Sequence, residues 1–293
     1  MNPDSPVEIR AALEEMGIAL KKRWGQNFLV NRGARERLAA MLDPRPGELA
    51  WEIGPGLGSM TALLLQRGVR LVAFEVDRGL CRHLRDAYGR EADFTLVEGD
   101  FIKTWKSALA EHGAPRRVLG NLPYRSASLM IAALVEGGVR PDAMVFTVQR
   151  ELAERMAADP RSKAYSSFSV LCQACFSIEA RGDLKPGSFY PAPEVVSTVV
   201  EMRPRQDGLD HEAVAILSAL LRGLFTARRK TLRNNLLAGR FAAGVTAERV
   251  AEALKAEGID LGARAEELPP ETFVRLARRA IREPAGPTGP SSP

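Results

Sequence analysis

Cysteine and histidine are scarce, with three of each in 293 residues: Cys81, Cys172, Cys175, His83, His112 and His211. So few cysteines build no disulfide framework. The closest pair, in Cys172-Gln173-Ala174-Cys175, lies in an apolar stretch from Phe168 to Ile178 that reads as a strand. Residues three apart on a strand point to opposite faces and cannot converge on one metal, so buried apolar roles are expected and a metal centre is not. The histidines fall in no motif, which leaves no histidine general base. Long apolar runs are also missing. Nothing approaches the roughly 18 uninterrupted apolar residues of a membrane span, and Met1–Arg10 has no run of signal-peptide length. A soluble, cytoplasmic protein with no membrane association is expected. No long apolar heptad or spare hydrophobic strand edge is visible, so a monomer is expected.

At 45% hydrophobic residues the chain can bury the core of one large domain, or of a large and a small one. A formal charge of +5 and a pI near 9.3 permit a polyanionic partner without requiring one. Where the charge clusters therefore matters more than its sum.

Residues 8–19 fit a short amphipathic helix. Lys21 to Leu29 then mixes cations, aromatics and amides, as a solvated basic loop or as a lid over a small-molecule pocket. From Leu49 the pattern is strand (Leu49 to Ile53), glycine turn (Gly54-Pro55-Gly56-Leu57-Gly58), helix (Ser59 to Arg67) and strand (Val69 to Val76). Glycines let the backbone approach a ligand and let the next helix present its amides. Glu75, 17 residues beyond Gly58, ends the second strand where a carboxylate can accept from both ribose hydroxyls. A third strand, Phe94 to Val97, delivers Asp100 to the same edge. In an open parallel sheet these sites converge outside the carboxyl ends of the strands. The spacing is G-x-G-x-G rather than the G-x-G-x-x-G of nicotinamide enzymes. S-adenosylmethionine fits better, with Glu75 on the ribose, Asp100 on the adenine amine and Gly54 and Gly56 near the methionine part.

Asn121-Leu122-Pro123-Tyr124 follows the apolar run Val118-Leu119 and precedes a helix beginning near Ser126. An exocyclic amine on a purine is a poor nucleophile until acceptors are placed beside it. The Asn121 side-chain oxygen is one acceptor, and Pro123 holds the turn so that the Leu122 carbonyl can be another. Tyr124 offers a face on which a flipped base stacks, worth roughly 1–3 kcal/mol. Strand Ala143 to Val148, helix Glu151 to Ala157 and strands Phe168 to Ile178 and Val195 to Met202 continue the sheet. In the proline-rich connection before Val195, Phe189 either closes the base slot opposite Tyr124 or plugs the core. Past Pro204 to Gly208 the pattern is helical through 211–223, 227–238, 246–257 and 270–281. Between Ala213 and Ala247 stand six basic residues and no acidic one, with Arg228, Arg229, Lys230 and Arg233 grouped; such a one-signed run suits phosphates.

These stretches together resemble the ribosomal RNA adenine dimethyltransferase family. The resemblance covers almost the whole chain, through Gly25-Gln26-Asn27-Phe28-Leu29, Glu52-Ile53-Gly54-Pro55-Gly56-Leu57-Gly58, Glu75-Val76-Asp77, Gly99-Asp100, Asn121-Leu122-Pro123-Tyr124, Phe189-Tyr190-Pro191-Ala192-Pro193-Glu194-Val195, Arg228 to Leu236 and Arg264 to Leu268. It implies an α/β fold: a Rossmann-like S-adenosylmethionine-dependent methyltransferase sheet over residues 1–204 with an N-terminal cofactor lid, a small helical RNA-binding domain over 205–282, and a disordered tail at 283–293. It implies dimethylation of two adjacent adenosines near the 3′ end of small-subunit (16S) rRNA, the small ribosomal subunit being the partner. By similarity Asn27, Leu29, Gly54, Glu75, Asp100 and Asn121 line the cofactor site, while Asn121, Leu122 and Tyr124, with Phe189 opposite, hold the target adenine. The chain departs from the family at Arg125 to Met130, where a small or amide residue and a later Thr-Pro are usual. It also departs at Arg161 and Ser166, where glycines are usual. Macrolide-resistance enzymes that modify a large-subunit adenine share the architecture but more often have Ile between the Asn and Pro. A ribosome-assembly factor with secondary catalysis is the alternative outside enzymology.

Overall fold

A computed structural model describes residues 1–20 and 26–282, so the basic part of the expected lid and the expected tail lie outside the described residues. The elements in chain order are α1 (Pro6–Glu15), β1 (Phe28–Leu29), α2 (Arg32–Leu42), β2 (Leu49–Ile53), α3 (Ser59–Leu65), β3 (Arg70–Glu75), α4 (Arg78–Tyr88), β4 (Phe94–Glu98), α5 (Phe101–His112), β5 (Arg117–Asn121) and α6 (Ala127–Glu136). There follow β6 (Ala143–Gln149), α7 (Arg150–Met156), α8 (Ser167–Cys175), β7 (Phe176–Leu184), β8 (Phe189–Tyr190), β9 (Ser197–Pro204), α9 (His211–Leu224), α10 (Leu232–Ala238), α11 (Ala247–Ala256) and α12 (Pro270–Arg282). None of the described helices is long and apolar enough to cross a membrane.

The chain divides into two compact units. The first comprises Met1–Leu134, Val139–Glu154 and Ser177–Pro204. It holds a seven-stranded sheet in the order β4-β3-β2-β5-β6-β9-β7, with β2 to β6 parallel and β9 antiparallel to β6. This is the α/β, Rossmann-like sheet that the alternation of strands, glycine turn and helices implies. Every residue of β2 is buried, as are Leu71 to Glu75 of β3, and this is why, Glu52 and Glu75 apart, these strands read as apolar runs rather than alternating ones. Strand order reverses at β2, whose neighbours are β3 on one side and β5 on the other, so a crevice opens at the carboxyl ends there. A two-stranded antiparallel sheet pairs β1 with β8, setting Phe28 against Tyr190 and Leu29 against Phe189.

The second unit, Val135–Gly138, Arg155–Phe176 and the chain from Arg205 onward, is wider than the expected 205–282. Within it α12 contacts α9, α8 and α11 around a core that includes Leu217, Leu254, Phe273 and Leu276, with the Phe225 and Phe273 ring centroids 5.7 Å apart. The expected strand from Phe168 is a helix, α8, as far as Cys175, and extended only from Phe176. The helix starts at a capping box in which the Ser166 N–H donates to Ser169 Oγ. Cys172 and Cys175 therefore sit one turn apart on a helix rather than on opposite strand faces. Both are buried, and burial first, then the neighbouring thiol, pushes the Cys172 thiol up.

The two positions where glycine was expected differ in what they require. Ser166 is extended backbone, φ −157°, and gains the cap. Arg161 has φ +69°, the left-handed region that disfavours residues with a Cβ, while its N–H donates to the Glu266 carbonyl at 2.8 Å. Arg161→Gly is expected to stabilise the protein by about 0.5–1 kcal/mol, because relief of the left-handed strain exceeds the added chain entropy. A higher denaturant midpoint at unchanged slope checks this; a lower midpoint contradicts it.

Candidate active site

A cavity of about 390 Å³ lies at the carboxyl ends of β2, β3 and β5, of the size that small-molecule sites have. Asn27, Leu29, Gly54, Gly56, Glu75, Asp100 and Asn121 all line it, as does Pro123, so the expected cofactor residues converge. The three glycines of the loop have φ of +74°, +59° and +81°, and each is a position where a Cβ is disfavoured. At Gly56 a Cβ would also stand 2.9 Å from the Phe28 ring, and at Gly58 it would stand 2.6 Å from Tyr88.

Glu75 is 5% exposed. Its Oε2 accepts from the Gly56 N–H at 3.2 Å, and its Oε1 from the Val76 and Asp77 N–H groups at 2.9 Å each. Burial nevertheless outweighs these donors and pushes its carboxyl up to about 7. Glu52, 3% exposed and also lining the cavity, accepts from Thr61 Oγ1 at 2.7 Å. Burial, with repulsion from Glu75 adding to it, pushes Glu52 to about 7 as well. Asp100 caps α5, its Oδ1 accepting from the Ile102 N–H at 3.0 Å.

Asn121 ends β5, and its Nδ2 donates to the Asn27 carbonyl at 2.6 Å. With the nitrogen end so held, the oxygen end of the amide is the one left for an amine donor. The turn after it is closed by the Ser126 and Ala127 N–H groups donating to the Pro123 carbonyl at 3.0 and 2.9 Å. Leu122 is buried, and its N–H donates to the Thr147 carbonyl at 3.1 Å. Tyr124 is half-buried beside the cavity rather than lining it, and its hydroxyl lies 2.6 Å from Ser197 Oγ. Burial raises the Tyr124 phenol, with the Ser197 hydrogen bond opposing, so it is neutral at physiological pH. Of the two readings open for Phe189, the structure shows the core plug. It is 3% exposed, in the core cluster that contains Leu29, Leu38 and Val199, because its pairing with Leu29 turns it inward.

The basic run, within the second unit, divides in two. Arg228 is held: its guanidinium pairs with Glu266 and donates to the Lys163 and Ser162 carbonyls at 2.6 and 2.9 Å. Asn235, 1% exposed, fastens the turn that carries the run by donating to the Leu224 and Ala227 carbonyls and accepting from the Ala227 N–H. Arg228, Arg229, Lys230 and Arg233 are all exposed, so bonding rather than burial sets Arg228 apart.

Composition and motif spacing did not pick out Glu52, Ser197 or Asn235. Glu52 had a visible signal, a lone acid inside an otherwise apolar strand. The other two are unremarkable polar residues whose partners lie 73 and 11 residues away. The paired carboxylates give a sign to the pH dependence of the unliganded protein. Both bind protons more tightly folded than unfolded, so their ionisation destabilises the fold, and stability falls as pH rises from about 4.5 through about 7. Glu52→Gln should flatten that fall, measured as melting temperature between pH 5 and 8; an unchanged slope contradicts the assignment.

The sequence profile described as ribosomal RNA adenine dimethylase matches residues 17–282. The ribosomal RNA small subunit methyltransferase A of Treponema denticola is 39% identical over 278 residues, 94% of each chain. Its namesake from Treponema pallidum is 40% identical over 277 residues, 94% of this chain and 96% of that one. Among solved structures, a dimethyladenosine transferase from Plasmodium falciparum superposes with a TM-score of 0.67 at 21% identity, over 86% of this chain and 96% of that one. The 23S rRNA methyltransferase ErmE does so with 0.59 at 24%, over 86% and 99%. At those identities the two structures speak for the fold. The profile match and the extent of the Treponema matches decide the rest: this chain belongs to the ribosomal RNA adenine dimethylase family.

Proposed function

We propose that the chain methylates the exocyclic amines of two adjacent adenosines near the 3′ end of small-subunit (16S) rRNA, using S-adenosylmethionine. The observation that carries the reading is the Asn121 amide, tied through its nitrogen to the Asn27 carbonyl and so presenting oxygen. The cavity fits the cofactor on its own terms: three left-handed glycines allow close backbone approach, and a buried Glu75 carboxylate stands ready to accept. When bound, S-adenosylmethionine supplies an electrophilic methyl on a sulfonium. Glu75 accepts from the ribose hydroxyls, which favours its ionised form, and Asp100 accepts from the cofactor's adenine amine. Asn121 Oδ1 and the Leu122 carbonyl accept from the target amine and turn its lone pair toward the methyl. Tyr124 fixes the base by stacking. With the methyl so supplied, the chain's own part would be to hold the amine in line through Asn121 Oδ1 and the Leu122 carbonyl, and the surplus proton could leave to water, with no side-chain base required. Positioning and fixed acceptors supply the acceleration.

The deciding experiment transfers labelled methyl from S-adenosylmethionine onto small and large ribosomal subunits lacking adenine dimethylation, then maps the label. Paired adenosines of the small subunit are expected. Label on the large subunit would favour a resistance-type enzyme, and particle binding without label would favour the assembly factor. Asn121→Ala is expected to abolish transfer while cofactor binding survives in part; near-normal turnover would remove Asn121 from the mechanism. In the second unit, Arg229→Ala with Lys230→Ala should weaken particle binding and reduce the salt slope by about one per lost phosphate contact. Arg228→Ala should instead lower the melting temperature. If all three substitutions shifted binding alike with stability unchanged, the division of the run would be wrong.

A further inference from the structure

We infer that Ser197 is a positioning residue for the reaction, acting through the hydroxyl of Tyr124; this rests on the proposed stacking role of Tyr124. A ring that stacks on a base must hold its plane, yet the second torsion of a tyrosine is broad and nearly two-fold. In this chain the far end of the ring is tethered, with the Tyr124 hydroxyl 2.6 Å from Ser197 Oγ, the length of a good hydroxyl–hydroxyl bond.

The anchor is rigid. Ser197 is fully buried and opens β9, in register with Gln149 of β6. The residues on either side are themselves fastened: the Val196 carbonyl accepts from the Arg150 N–H at 3.1 Å, and Thr198 Oγ1 donates to Asp183 at 2.6 Å. Tyr124 by contrast sits in the turn between β5 and α6, on no regular element. The tether therefore refers the ring to the sheet, across 73 residues of sequence. Ser197 also follows directly on the segment between β8 and β9, so this bond joins the Asn-Leu-Pro-Tyr turn to the end of that segment.

The chemistry predicts a specific failure. Without the Ser197 hydroxyl the ring remains and the cavity that lies to one side of it is untouched, so the cofactor site keeps its shape while the base is held less well for attack. Tyr124→Phe removes the same bond from its other end. One hydrogen bond of ordinary worth corresponds to a loss of about tenfold or less.

The test is a double-mutant cycle on Ser197→Ala and Tyr124→Phe, assayed by methyl transfer to small subunits lacking adenine dimethylation, with cofactor affinity by calorimetry and melting temperature alongside. Each single variant is expected to lose about tenfold in kcat, with cofactor affinity close to wild type and a small fall in melting temperature of similar size in both. The double variant should lose about tenfold in total relative to wild type, no more than either single variant, rather than about a hundredfold, because the two remove one interaction. A purely structural serine would give a different signature: a Ser197→Ala effect of the same size whether or not Tyr124→Phe is also present, or a fall in melting temperature with kcat preserved. Either overturns the inference. A wild-type enzyme that transfers no methyl to these particles would overturn the proposed function and this inference with it.

Discussion

The site depends on one buried carboxylate. Glu75 draws the Gly56, Val76 and Asp77 N–H groups onto its two oxygens, and thereby ties the glycine loop after β2 to the end of β3. Three donors would hold an exposed carboxylate low, but burial wins and leaves this one near 7, so its charge is costly until a ligand donates to it. A vicinal diol does that without bringing a counter-charge. Under the proposed function, that diol is the ribose of the cofactor. Glu52, also buried, is pushed up to about 7 by its burial, and repulsion from Glu75 adds to that.

The same constraint reaches the other end of the cavity through the segment around β1. Gly56 must be glycine partly because the Phe28 ring lies where a Cβ would stand. One residue earlier, the Asn27 carbonyl fixes the Asn121 amide, and one residue later the Leu29 carbonyl accepts from Arg35 at 2.8 Å. Arg35 is 4% exposed and pairs with Asp4, so a buried cation holds the segment in place. The glycine loop and the Asn121 amide are therefore not independent parts. Both are referred to three consecutive residues, and a disturbance of β1 should be felt at the glycine loop and at Asn121 together.

How much of this the sequence disclosed follows from the range of each interaction. The strands from Leu49 to Val148, the glycine turn and the convergence of Glu75, Asp100 and Asn121 are local patterns repeated by a parallel sheet, and all were legible. The stretch from Phe168 was not, because Phe168-Ser169-Val170-Leu171-Cys172 is apolar without a clear period, and length alone cannot separate a short buried helix from a strand. Its deciding feature is the Ser166–Ser169 cap, which composition does not weight. Phe189 could be read either way, and the antiparallel pairing of Leu29 with Phe189, far apart in the chain, turns it into the core. Arg161 is the reverse case. A departure at a position where glycine is usual is confirmed as a backbone matter by its positive φ.

The basic run shows why charge composition cannot by itself assign contacts. Arg228, Arg229, Lys230 and Arg233 look equivalent in sequence, and a phosphate-binding role suits any of them. Yet the turn that displays them has to be folded, and in a stretch with no acidic residue from Ala213 to Ala247 the counter-charge must come from elsewhere. It comes from Glu266, which pairs with Arg228 while two carbonyls of the loop containing Ser162 and Lys163 complete that guanidinium. Asn235 closes the turn from the inside with bonds to Leu224 and Ala227. One arginine and one asparagine thus serve the fold of the turn, and Arg229, Lys230 and Arg233 stand exposed beside them. Four free cations so close together would repel one another, and the pairing of Arg228 with Glu266 removes part of that repulsion within the fold itself.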